Sequence, residues 1–129
     1  MDAVEWADIA VGKGEMPIGL FGASTGAAAA LAAAAELGDR FFAIVSRGGR
    51  PDLAGLALRY VRAPTLLIVG GEDHGVIELN QRARGNMGGL ASLEIIPGAT
   101  HLFPEPGAME QVTALARAWF ERYLTAKPI

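Results

Sequence analysis

Ile18-Gly19-Leu20-Phe21-Gly22-Ala23-Ser24-Thr25-Gly26 is the stretch on which the fold turns. Ile18 to Phe21 is a continuous apolar run bounded by Pro17 and Gly22, which reads as a short buried strand. Thr25 to Leu37 is dense in alanine, the strongest helix former, and Gly38 is placed to cap it. A strand therefore turns directly into a helix across Gly22 to Gly26. Pro17 to Ala35 carries no charge and is long enough to suggest a membrane span. It is mostly weakly apolar alanine and glycine, however, and holds Pro17, Ser24 and Thr25, so strand–turn–helix is the better reading.

The same alternation continues outward. Upstream, Val4, Ala7 and Val11 at helical spacing predict a short amphipathic helix over residues 3–11, stopped by Gly12-Lys13-Gly14. Downstream, Phe41 to Val45 reads as a second buried strand, and Asp52 as the cap of a helix running to about Tyr60. Thr65 to Val69 is the clearest strand, followed by a helix from about Val76 to Met87 and a last strand from Leu93 to Ile96. Met109, Val112, Ala116, Trp119, Phe120 and Tyr123 then lay an apolar stripe along a final helix. Continuously apolar strands alternating with helices predict an α/β fold: about four parallel strands, helices on both faces, right-handed crossovers. In such a sheet the functional loops leave the carboxyl ends of the strands. Here those loops are Gly22 to Gly26, Ser46 to Pro51, Gly70 to Gly75 and Pro97 to Pro106.

Composition bounds the function. At 129 residues the chain fits one domain, and 51% hydrophobic against 19% charged residues argues for a packed core. A net charge of −3 with scattered basic residues leaves no footprint for nucleic acid. The absence of cysteine excludes disulfides, thiolate metal sites and a thiol nucleophile, and is compatible with a cytoplasmic location. The acidic start, Met1-Asp2-Ala3-Val4-Glu5, opens no signal peptide, and no membrane association is expected.

The chemistry sits in the predicted loops. Gly22-Ala23-Ser24-Thr25-Gly26 matches G-x-S-x-G after a strand and before a helix, the setting that a nucleophile elbow requires. A serine needs a base to take its proton. Of the two histidines, His101 follows the last strand, on the same sheet edge as Ser24, whereas His74 reads as a solvent-facing neighbour of the acid. An acid must orient the imidazole; Asp73 at the end of the third strand is favoured over Glu72 beside it. Arg47 and Arg50 flank the crevice and are candidates for holding a substrate carboxylate. Asp73, Glu72, Glu78 and His74 lack the spacing of a known metal site, and nothing indicates a cofactor. Trp119 and Phe120 read as core, and Met16, Met87 and Met109 as packing or loop residues.

Four stretches carry a wider likeness: Pro17 to Gly26, Ser46 to Leu53, Ala63 to Asp73 and Pro97 to Phe103. Through them the sequence resembles the α/β-hydrolase superfamily, in its dienelactone hydrolase-like branch, including the chain order Ser24, Asp73, His101. The likeness covers nearly the whole chain but only the C-terminal half of the family's fold, so it implies a truncated α/β-hydrolase fold. It departs from dienelactone hydrolases proper, which use cysteine where this chain has Ser24, and so implies a serine carboxylesterase acting on short-chain esters. The backbone N–H of Thr25 would supply one oxyanion-hole donor. The loop that normally gives the other lies in the missing half. Losing one such donor costs on the order of 10²–10³ in rate, so a slow enzyme is expected.

The missing half also leaves the Ile18 to Phe21 strand as a bare edge, which invites pairing with another chain. A homodimer or larger homo-oligomer, in which a partner loop restores the pocket, is the expected assembly. The alternative from a different class is a catalytically silent truncated module that acts through oligomer or partner binding.

Overall fold

The computed structural model describes residues 18–36 and 42–124. Strand β1 (Ile18–Ala23) leads through Ser24 into helix α1 (Thr25–Glu36), then β2 (Phe42–Arg47) and a 3₁₀ segment (Pro51–Tyr60). Strand β3 (Thr65–Gly70), helix α2 (His74–Asn86), strand β4 (Ala91–Ile96) and helix α3 (Ala108–Tyr123) complete the described chain. The predicted helix over residues 3–11, the Gly38 cap, Phe41 and Met16 lie outside the described residues.

The strands form one parallel sheet in the order β1-β2-β3-β4. β3 is its hub: all six residues are buried, because β2 and β4 flank it and helices cover both faces. Burying an aliphatic side chain of this size contributes roughly 1.5–3 kcal/mol, so Leu66, Leu67, Ile68 and Val69 are a large part of what holds the sheet. Leu20 and Ile44 pack with Ala30, Leu31, Ala34, Leu58, Val61 and Ala83 on the α1, 3₁₀ and α2 side. Val45, Leu66, Ile68 and Ile96 pack with Ala99, Phe103, Ala108, Val112 and Ala116 on the α3 side.

Several boundaries differ from the sequence reading for physical reasons. β1 and β2 run on through Gly22-Ala23 and Ser46-Arg47, which are weak strand formers, because the ladder pairs Gly22 with Ser46 and Ala23 with Arg47. β4 begins at Ala91, not Leu93, because Ala91 and Ser92 sit opposite Thr65 and Leu66 of β3. The third helix is 3₁₀ and is broken at Gly55, whose φ of 58° and ψ of −130° no helix accommodates.

Asp52 is not its cap. Pro51 takes the first helical position, and the Asp52 carboxylate is gripped by the Arg50 guanidinium through Nε at 3.0 Å and Nη2 at 2.9 Å. On α3 the buried stripe is Ala108, Val112 and Ala116, one helical turn apart each, while Met109 is exposed. Trp119 and Phe120 are half-buried at the rim of the core, not within it, and the Trp119 indole N–H donates to the Pro64 carbonyl at 3.1 Å.

Candidate active site

All four strands end on one side of the sheet, so Ser24, the Gly48–Arg50 loop, Asp73 and His101 gather there. Ser24 has a φ of 50°, in the left-handed region that non-glycine residues seldom occupy. Its peptide is pinned from both sides. The Ser24 N–H donates to Arg47 O at 3.4 Å, and Ser24 O accepts from Ala27 N at 3.2 Å and Arg50 N at 3.0 Å. Strain of this kind persists only where surrounding structure over-determines the backbone. Gly22 is part of the reason the turn closes: a Cβ there would stand 2.6 Å from the Ala27 Cα.

His101 hangs between two buried anchors, Ala99 and Phe103, at 1% and 2% exposure. Phe103 itself has a φ of 57°, and its N–H closes the turn on Thr100 O at 3.1 Å. Glu105 braces the same turn, accepting from the Thr100 N–H at 3.1 Å and the Thr100 hydroxyl at 2.6 Å. Asp73 sits at the start of α2, its N–H bonded to Gly70 O at 3.0 Å. It occupies the position of a helix cap, yet its side chain makes no cap bond; the carboxylate turns to His101 instead.

The result is a line of three side chains. Ser24 Oγ lies 2.9 Å from His101 Nε2, and His101 Nδ1 lies 2.7 Å from Asp73 Oδ2. An ionised carboxylate can only accept, so the imidazole carries its proton on Nδ1 and offers the Nε2 lone pair to the serine hydroxyl. The Asp73 side chain is 18% exposed and that of His101 40%, so the acid is the more shielded partner. Glu72, the competing acid, stands 3.8 Å from the exposed His74 instead. Thr25 opens α1, where the first N–H groups have no acceptor within the helix and the helix dipole favours negative charge.

Each of the two arginines has a neighbour in the structure. Arg50 is committed to Asp52, which holds the Asp52 carboxyl below the usual carboxylate range and raises the Arg50 guanidinium further. Arg47 is half-buried, with its guanidinium carbon 5.8 Å from the Phe103 ring centroid. Among the described residues no group of three His, Asp or Glu side chains is arranged to hold a metal ion, and no helix is long and apolar enough to cross a membrane.

Glu105 gives this site a pH dependence. Its hydrogen bonds from the Thr100 hydroxyl and, less strongly, the Thr100 N–H favour the ionised form and hold its carboxyl below the ordinary value. A depressed folded-state pKa means stabilisation present above the unfolded value, about 4.3, and lost as pH falls through the folded one. Urea titrations at pH 6 and pH 3 should therefore show a smaller acid loss for Glu105→Gln than for the parent protein. An equal loss in both would remove this brace from the account.

Sequence reading placed the Ser46 to Pro51 loop at this edge of the sheet but did not foresee that its Gly48–Arg50 backbone packs against His101 and bonds to Ser24. The signal available was the paired glycines, which permit the close approach seen between Gly48 and His101.

No protein-family model matches the chain. Two curated relatives, from Mycobacterium tuberculosis strains CDC 1551 / Oshkosh and ATCC 25618 / H37Rv, are 55% identical over 124 residues, and both carry the provisional name phosphoribosyl transferase. The match takes in 96% of this chain but spans only 28% of each relative. Among solved structures, a dienelactone hydrolase from Anabaena variabilis is 57% identical with a TM-score of 0.80, covering 82% of this chain and 49% of that one. A CIB-like hydrolase from Thermoplasma acidophilum shares the fold at 24% identity and a TM-score of 0.65, covering 90% of this chain and 55% of that one. The chain thus spans about half of each solved neighbour, and its described residues form a four-stranded part of the α/β-hydrolase fold, similar to that of the dienelactone hydrolase.

Proposed function

We propose that this chain is a serine hydrolase that cleaves short-chain carboxylic esters. The observation that carries the reading is the unbroken hydrogen-bonded line from Ser24 through His101 to Asp73, at 2.9 and 2.7 Å. Neutral His101 accepts the Ser24 proton as Oγ attacks the ester carbonyl, and the imidazolium is stabilised by Asp73. Collapse of the tetrahedral adduct expels the alcohol, which takes the proton from His101. Water, deprotonated by the same imidazole, then attacks the acyl-serine and releases the acid. The Thr25 N–H is one donor toward the developing oxyanion. The hydrolase name of the 57%-identical neighbour supports this assignment. The transferase name belongs to relatives of which this chain covers 28%, and it does not bear on these three side chains.

p-Nitrophenyl acetate tests the reading. A burst of nitrophenol, up to one equivalent per chain and followed by slow turnover, is expected; a rate no greater than that of free imidazole would overturn it.

We further propose that the active form is a homodimer or higher homo-oligomer. Among the described residues β1 pairs only with β2, so its other edge presents unpaired N–H and C=O groups. Sedimentation at micromolar concentration should give more than the monomer mass, and a stable, folded monomer would refute the assembly.

A further inference from the structure

Asn80 is 0% exposed on α2, two helical turns beyond Asp73 and on the same side of that helix. Its side-chain Nδ2 donates to Gly49 O at 3.1 Å and to Val76 O at 2.8 Å. Two carbonyls at one end of the amide fix which atom is nitrogen, since an oxygen there would face both. The price of that orientation is visible: Oδ1 is buried with no hydrogen-bond partner among the described residues. A buried orphan of this kind is destabilising, so the packing of α2 alone does not explain an amide here.

The loop that Asn80 holds touches both reacting side chains' supports. On one side of Gly49, the Arg50 N–H donates to Ser24 O at 3.0 Å. On the other, Gly48 has a φ of 53° and lies so near His101 that a Cβ would stand 2.9 Å from His101 O and 3.4 Å from ring atoms Cε1 and Nδ1. Gly49 itself rests on β2 and α1, where a Cβ would overlap the Ser46 hydroxyl and the Ala27 methyl. Helix α2 therefore carries the acid at its start and, at Asn80, the tether of the loop wedged between serine and histidine.

We propose that Asn80 is a positioning residue: its amide anchors the Gly48–Arg50 loop to α2 and so sets the distance between Ser24 Oγ and His101 Nε2. This rests on the hydrolase reading above and adds to it a residue that touches neither substrate nor the reacting atoms. Misplacement of reacting groups by about 1 Å can cost on the order of 10²-fold in rate.

The test uses Asn80→Leu, which keeps the branched outline of the side chain and removes the donor, with Asn80→Ala beside it to relieve the larger bulk of leucine and Ala83→Gly as a control that weakens α2 without contacting the loop. Fluorophosphonate labelling reports two quantities for each protein, the end-point stoichiometry and the rate constant per labelled site. For both Asn80 variants the stoichiometry should match the parent, while the rate constant falls about ten- to a hundredfold and kcat for p-nitrophenyl acetate falls at unchanged KM. Ala83→Gly should keep the parental rate constant. Hydrogen exchange of the Arg50 amide, which does not depend on activity, should accelerate in the Asn80 variants at least tenfold. Unchanged Arg50 exchange, or a rate loss matched by lost stoichiometry, would overturn the positioning role. Absence of Ser24-dependent labelling in the parent protein would instead overturn the hydrolase reading, leaving the exchange measurement to decide the tether.

Discussion

Replacing Ser24 by alanine should abolish fluorophosphonate labelling and remove the acyl burst, leaving ester turnover at the level of free imidazole. The deletion removes the oxygen that faces His101 Nε2, and with it the bond at 2.9 Å. A serine nucleophile removed from a working triad costs on the order of 10⁶ in kcat. The absolute loss here is bounded by the turnover of the parent protein. Stability should fall little or rise, because Ser24 is half-buried and, among the described residues, its hydroxyl bonds to the imidazole alone. Turnover that survives in Ser24→Ala would take this residue out of the reaction.

Asp73→Asn should be nearly as damaging, by about 10⁴-fold in kcat, with the fold intact. The amide is the same size as the carboxylate. It can, however, turn its NH₂ toward His101 Nδ1, which then must accept, and the ring proton moves to Nε2. A histidine protonated on Nε2 presents a donor to Ser24 Oγ and cannot take its proton. Glu72→Gln supplies the contrast. Glu72 is exposed and faces His74 at 3.8 Å, so its neutralisation should change kcat by less than about twofold. Equal losses at positions 72 and 73 would mean that the acid acts through general field, not through the 2.7 Å bond to His101.

Why position 73 and not 72 was a matter of preference in the sequence, and is a matter of geometry in the structure, shows where sequence reading stops. Two adjacent carboxylates after one strand differ only in which way the turn aims them. That aim is set by the Asp73 N–H bond to Gly70 O and the Glu72 N–H bond to Ala99 O, the latter made to a residue far along the chain. The strands, by contrast, were legible because a parallel sheet covered on both faces leaves continuous apolar runs such as Thr65 to Val69. The turn at Ser24 was legible too, since the small residues of G-x-S-x-G announce a strand passing abruptly into a helix.

Other features were out of reach for the same non-local reason. Arg50 takes Asp52 away from its expected capping role, and the break at Gly55 depends on a backbone angle that spacing does not encode. Asn80 reads in the sequence as an ordinary polar residue on a helix; only the carbonyl it meets from Gly49 gives it a purpose.

The positive φ of Ser24 sets durability against reactivity at a single position. Glycine adopts that twist without the steric penalty of a Cβ, so Ser24→Gly would relax the turn that the rest of the sheet end holds taut. Under the proposed function, that variant would keep the fold and lose its nucleophile. A chain that keeps serine bears a standing conformational burden, and the proposed triad gives that burden a reason.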